Sequence, residues 1–114
     1  MKRIIITAVA LIAVLTVART ASAQATAEKG MKIYTDQKCS LCHAIAGKGN
    51  AKGPLDNVGG KLKADEIRKW IVTPVEMTAA AKADRKPAMK AFASLPKDDL
   101  DSLVAYMASL KAAK

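Results

Sequence analysis

Apolar residues recur at helical spacing in two parts of the chain. Over residues 25–37, Ala27, Met31 and Tyr34 fall on one side of a predicted first helix. A second stripe predicts a last helix, with Pro96 near its start. This stripe consists of Leu100, Leu103, Val104, Met107 and Leu110. Since no comparable alternation predicts a strand, the pattern favours an all-α fold.

The middle of the chain is predicted to be less regular. Five glycines and a proline between residues 47 and 60 predict a long loop. A short middle helix is predicted from residue 65, where two acids occupy the first turn, up to Pro74, which ends it. Its apolar face consists of Ile67, Trp70 and Ile71. The residues that follow, up to Phe92, are rich in alanine and charge and are expected to hold one helical turn or none.

Residues 1–23 have the layout of a secretory signal peptide. A basic start is followed by an apolar run from Ile4 to Ala18 and by Ala21-Ser22-Ala23, a small-x-small cleavage site. A membrane anchor is the alternative, but it needs roughly 20 predominantly apolar residues, and this run is shorter. We therefore expect cleavage before Gln24, a mature domain over residues 24–114 with no stable membrane span, and a periplasmic location.

The chain is basic and small. It has 19 Lys and Arg against 10 Asp and Glu, a net charge of +9, and loss of three basic residues with the signal peptide would leave +6. This charge favours an acidic protein partner or simple solubility over nucleic acid, because the lysines are scattered and do not alternate with aromatic residues. The mature chain has four aromatic residues, so a domain of this size is expected to need a staple, a metal or another group to complete its core. A bound apolar cofactor would supply the missing interior.

Both cysteines and the single histidine lie in one segment, Cys39-Ser40-Leu41-Cys42-His43. A redox dithiol of the thioredoxin kind depends on a strand-helix context, and a structural zinc site wants four Cys or His ligands. C-x-x-C-H is the haem attachment pattern, in which both thiols add to vinyl groups and the adjacent histidine ligates iron. The segment therefore favours one covalently bound haem c, held by Cys39 and Cys42 and ligated by His43.

With these features in this order, the chain resembles a class I cytochrome c of the small bacterial monohaem type. In that family an N-terminal helix with a glycine and an aromatic residue four apart crosses a C-terminal helix with a leucine and an aromatic residue three apart. Gly30 and Tyr34, and then Leu103 and Tyr106, match this pattern. The resemblance implies crossing terminal helices, a short middle helix and haem in the core.

The resemblance also implies two residues around the haem. Gly53-Pro54 is similar to a family loop whose proline carbonyl accepts a hydrogen bond from the axial histidine, which fixes the ring. Trp70 lies in a W-I-x-x-P sequence, where the indole of similar proteins packs on the haem edge. Pro54 and Trp70 are therefore expected to be cofactor-binding residues.

A methionine is implied as the second axial ligand. There is no second histidine, so bis-histidine ligation is excluded, and a methionine or an open site remains. Met89, which precedes an aromatic residue, a leucine and the last helix, resembles the family ligand, and Met77 is the weaker candidate. Met31 and Met107 are expected to pack between helices.

His/Met ligation implies an electron carrier that is not an enzyme, because the iron has no open position and methionine raises its potential. The expected partners are redox proteins with acidic docking surfaces, and the carrier is expected to be a monomer or a subunit of a redox complex. Six lysines are candidates for the docking surface: Lys38, Lys48, Lys52, Lys61, Lys86 and Lys90. Two alternatives remain: a tightly held subunit of a larger oxidoreductase, and a peroxidase-like or gas-binding haem protein.

Overall fold

The computed structural model describes residues 26–112, so the expected signal peptide and its cleavage site lie outside the described residues. Helix α1 covers residues 26–36, and a short 3-10 helix follows at Cys39–Leu41. Strands β1 (Ala44–Ile45) and β2 (Lys48–Gly49) form an antiparallel hairpin. The remaining helices are α2 (Val58–Lys61), α3 (Ala64–Val72), α4 (Pro74–Ala81) and α5 (Lys97–Ser109). Apart from the small hairpin, the regular secondary structure of the described residues is helical, as the sequence predicts.

Helices α1 and α5 cross in close contact, as expected from the glycine and aromatic positions. A Cβ atom on Gly30 would lie 2.5 Å from the Cβ of Tyr106 and 2.9 Å from the carbonyl carbon of Ser102. Only glycine therefore allows this approach of the two backbones. Next to the crossing, the rings of Tyr34 and Tyr106 meet edge to face, with centroids 6.1 Å apart.

The buried face of α1 differs from the predicted stripe. Gly30, Ile33 and Tyr34 are buried, whereas Met31 is 49% exposed. The expectation that Met31 packs between helices is therefore wrong. The close approach at Gly30 sets which side of α1 faces α5, and a hydrophobicity pattern gives little weight to glycine.

Helix α3 packs against α5 and forms most of the core with it. The buried residues of this core are Ile33, Tyr34, Ile67, Ile71, Leu103, Val104 and Met107. The start of α3 is stabilised by the Glu66 carboxylate, which accepts the backbone N–H of Lys63 at 3.3 Å. On the half-exposed side, Arg68 of α3 pairs with Asp101 of α5 at 2.6 Å. These contacts hold together α3 and α5, the two helices on which the candidate site is built.

Two helices lie where loops were expected. Pro74 ends α3 as predicted, but it also occupies the first turn of α4, where its missing N–H needs no partner. Helix α4 therefore exceeds the single turn expected there. Helix α2 lies within the glycine-rich region and is held to the end of α5 by a bond from the Gly59 N–H to the Leu110 carbonyl, 2.9 Å. Among residues 26–112, no helix has both the length and the apolar composition that crossing a membrane requires.

Candidate haem-binding site

An apolar cavity of about 280 Å³ lies between α1, α3, α5 and the segment that follows α4. Its walls consist of Tyr34, Cys39, His43, Leu55, Val58, Leu62, Ile67, Trp70, Ile71, Met89, Phe92, Leu103 and Met107. Folded interiors contain few voids larger than a water molecule, and small-molecule sites begin at about 300 Å³. The cavity is therefore close in volume to the smallest of such sites, and its walls have the composition of a site for an apolar group.

Four of the predicted site residues line this cavity and two do not. Cys39, His43, Trp70 and Met89 lie in its walls, although Met89 is far from the others in sequence. Cys42 is half-buried next to His43 and is not among the lining residues. The fold thus brings a thiol, an imidazole and a thioether to one apolar space.

The attachment segment is wound into a tight turn directly after α1. Lys38 adopts a left-handed conformation (φ 58°), which redirects the chain at the end of α1. The carbonyl of Cys39 then accepts the backbone N–H groups of Cys42, at 3.1 Å, and His43, at 2.9 Å. Cys39, Cys42 and His43 therefore share a single turn, as attachment to one flat molecule requires.

The imidazole of His43 is held in the form that ligates metals. Its Nδ1 donates a hydrogen bond to the carbonyl oxygen of Gly53 at 3.1 Å, and a carbonyl can only accept. The proton therefore sits on Nδ1 and leaves the Nε2 lone pair free. Burial lowers the pKa of His43 and the nearby Arg85 charge lowers it further, against an opposing effect of the bond to Gly53. These effects together favour a neutral ring.

The expectation that the Pro54 carbonyl accepts this bond is wrong, because the acceptor is Gly53. Pro54 pairs with Ala44 in an isolated parallel bridge: the Gly53 carbonyl accepts the Ala44 N–H at 3.0 Å, and the Leu55 N–H donates to the Ala44 carbonyl at 2.8 Å. In such a bridge only the carbonyl before Pro54 faces the paired chain. Pro54 itself is exposed and does not line the cavity.

The four methionines of the described chain lie in different surroundings. Met89 is half-buried in the cavity wall and comes from an irregular segment. Met107 also lines the cavity, but it is buried in the helical core, where packing was expected. Met77 lies on α4 and does not line the cavity, and Met31 is exposed. Of the two methionines considered as axial ligands, Met89 is thus the one that reaches the cavity.

Two residues contribute to the site in ways that the sequence did not indicate. The hydroxyl of Tyr34 is buried and has no hydrogen-bond partner among residues 26–112, and burial raises the pKa of Tyr34 to about 12. Buried polar groups are normally satisfied, so this hydroxyl fits a site that receives a further group. Arg85 donates from Nη2 to the Cys42 carbonyl at 2.6 Å. This contact joins residues that are distant in sequence, so no local pattern could reveal it.

Comparison with known proteins agrees with this geometry. Residues 27–111 match the family model for cytochrome c, and the chain belongs to the cytochrome c family. The chain is also similar to the cytochrome c oxidase subunit 2 of Alkalihalophilus pseudofirmus, with 27% identity over 94 residues. This match covers 75% of the chain and 26% of the relative, so the chain spans about a quarter of that protein's length. No solved structure gives a significant match.

Family membership confirms several predictions from the sequence. It supports the class I cytochrome c fold and implies a covalently bound haem c that serves electron transfer. Cys39 and Cys42 fit the attachment pattern of this cofactor. The apolar cavity, the neutral His43 ring and the buried Tyr34 hydroxyl, which has no partner in the described part of the chain, are all consistent with residues that would enclose it.

Proposed function

We propose that this protein is a periplasmic electron carrier with a single haem c, whose iron is ligated by His43 and Met89. The observation that carries the proposal is that His43 and Met89 line the same apolar cavity, next to Cys39. When bound, haem supplies an iron centre that gains or loses one electron, and a methionine ligand raises its potential. Such a protein exchanges electrons with partner proteins and transforms no substrate.

The residues of the chain have distinct parts in this proposal. Cys39 and Cys42 would hold the haem through thioethers, and His43 would present Nε2 to the iron because Gly53 fixes its Nδ1 proton. Trp70, half-buried in the cavity wall, would pack on the haem and exclude water. Met89 would supply its thioether sulfur as the second protein ligand of the iron.

The cavity wall favours a carrier over a peroxidase-like protein. Apart from Cys39 and His43, which the haem would engage, Tyr34 is the only titratable residue that residues 26–112 contribute to the wall. Its pKa of about 12 keeps it neutral at ordinary pH. A peroxidase-like site would need an acid or base near the iron to move a proton, and the wall supplies none.

Absorption spectra of the purified protein in both oxidation states, combined with a potentiometric titration, test the proposal. We expect one reversible one-electron transition and a sulfur-to-iron absorption band in the ferric protein, with no binding of carbon monoxide by the ferrous protein. Ready binding of carbon monoxide would instead favour a peroxidase-like or gas-binding role.

The second candidate is a subunit of a larger redox complex. It is favoured by the similarity to a cytochrome c oxidase subunit 2, a protein about four times as long as the matched region. The chemistry at the iron would be the same, but the partner would be permanent. Purification from native membranes and periplasm under mild conditions separates the two candidates, because a carrier elutes alone and a subunit elutes with its complex.

The periplasmic location rests on the N-terminal sequence. Residues 1–23 combine a basic start, an apolar centre and a small-x-small site, so signal peptidase is expected to cut before Gln24 and release the domain of residues 24–114. The intact mass of the exported protein tests this directly. A mature mass that still includes residues 1–23 would contradict cleavage.

A further inference from the structure

Arg85 connects the segment that carries Met89 to the turn that carries His43. Its Nη2 donates to the Cys42 carbonyl at 2.6 Å. Its Nη1 occupies the space that a Cβ atom on Gly53 would fill. Cys42 precedes His43 in the chain, and Gly53 accepts the His43 ring proton, so one guanidinium contacts the peptide units on both sides of this imidazole.

Residues 84–91 form the Met89 segment, which makes few other contacts that hold it to the rest of the fold. Within residues 26–112, the bond from Arg85 is the one hydrogen bond that ties residues 84–91 to another part of the chain. The next attachment comes at Phe92, whose N–H donates to the Ile71 carbonyl at 2.9 Å. All of residues 84–91 are exposed except Met89. Met89 therefore lies between two residues that hydrogen-bond to the rest of the fold, Arg85 before it and Phe92 after it.

We propose that Arg85 is a positioning residue that holds the Met89 segment against the turn of residues 39–43. By doing so it makes the replacement of Met89 by external ligands less favourable. This inference rests on the proposed His43 and Met89 ligation. The planar guanidinium can point one nitrogen at a carbonyl while another lies against Gly53, which a lysine ammonium cannot reproduce. Because Arg85 is exposed, its effect comes from this geometry and not from its screened charge.

Imidazole titration of the ferric holoprotein tests the inference, with the sulfur-to-iron absorption as the readout. Imidazole binds where Met89 leaves, so its affinity reports how firmly the segment holds the methionine. We expect Arg85→Ala to bind imidazole roughly three- to tenfold more tightly than the wild type, as loss of one hydrogen bond would give. Lys86→Ala is the matched control, since it removes the same charge from the next residue, which makes no hydrogen bond or ion pair within residues 26–112.

A third variant separates geometry from charge. Arg85→Lys keeps the charge and loses the planar fork, so we expect its imidazole affinity to lie near that of Arg85→Ala. An Arg85→Lys protein that behaves like the wild type, or an Arg85→Ala protein that behaves like Lys86→Ala, would overturn the role of Arg85 while leaving the ligand assignment intact. A wild-type protein without the sulfur-to-iron absorption would instead overturn the proposed ligation, and the Arg85 inference with it.

Discussion

The Nδ1 atom of His43 lies 3.1 Å from the carbonyl oxygen of Gly53, and this carbonyl also accepts the backbone N–H of Ala44 at 3.0 Å. One peptide oxygen thus fixes both the backbone after the attachment turn and the orientation of the imidazole. Hydrogen bonds of this kind determine which ring nitrogen is free for a metal. Gly53 is buried, so this anchor is protected from competition with water.

The hydrogen bond from His43 to the Gly53 carbonyl predicts the effect of a larger side chain at position 53. A Cβ atom there would collide with the Cys42 carbonyl and with Arg85, so the peptide has to move. We expect Gly53→Ala to reduce the free energy of unfolding by about 1–3 kcal/mol, as overpacking does. The His43 ring proton should also exchange faster with solvent in NMR spectra of the ferrous protein. Pro54→Ala is the control, because its carbonyl is not the acceptor, and an equal effect of both variants would contradict the assignment of Gly53.

The helix crossing predicts a cost for any side chain at Gly30. Gly30→Ala gains up to about 1 kcal/mol of helix propensity. However, its Cβ would lie 2.5 Å from the Cβ of Tyr106, so α1 and α5 must separate. We expect overpacking to outweigh the gain and lower the unfolding midpoint in denaturant. Glu28→Ala, at an exposed position of the same helix, should leave it nearly unchanged. A stabilised Gly30→Ala protein would show that the helices do not meet here.

The buried hydroxyl of Tyr34, which has no hydrogen-bond partner within residues 26–112, predicts an alkaline loss of stability. Burial raises its pKa in the folded protein from an ordinary value near 10 to about 12. The folded state therefore favours the neutral hydroxyl, and its contribution is present below about pH 10 and lost as pH rises towards about 12. We expect the free energy of unfolding of the wild type, relative to Tyr34→Phe, to fall across this window. A difference that does not change with pH would contradict the burial of the hydroxyl.

The exposed lysines predict a salt-dependent encounter with redox partners. Six lysines are exposed and form no ion pair within residues 26–112: Lys38, Lys48, Lys52, Lys61, Lys86 and Lys90. Attraction to an acidic partner is screened over about 8 Å at physiological ionic strength. The bimolecular electron-transfer rate should therefore fall as salt rises, measured by stopped-flow kinetics. A flat salt profile would leave the charge without a role in docking.

Features that depend on local sequence were predicted well. The last helix follows from Pro96, the two acids of its first turn and an apolar stripe, and it covers Lys97–Ser109. The close approach of α1 and α5 at Gly30 is a contact between distant residues, and it was predicted only through the resemblance to a family. The attachment segment is local too, since its three reactive residues are consecutive or nearly so.

Three other features could not be predicted from the residues alone. Pro74 ends one helix and begins another, and the sequence alone does not show that the second forms. The choice of Gly53 over Pro54 depends on how one short bridge to Ala44 aligns. The contact of Arg85 with Cys42 joins two loops whose meeting is set by the helices between them.

The central claim, that Met89 is the second axial ligand, is tested most directly by carbon monoxide titration of the ferrous wild type, Met89→Ala and Met77→Ala proteins. Met89 lines the cavity with His43, whereas Met77 lies outside it on α4. We predict that Met89→Ala still carries covalent haem and binds carbon monoxide, because its iron has lost the sulfur ligand. The wild type and Met77→Ala should not bind it under the same conditions. If Met77→Ala binds carbon monoxide and Met89→Ala does not, the assignment of Met89 is contradicted.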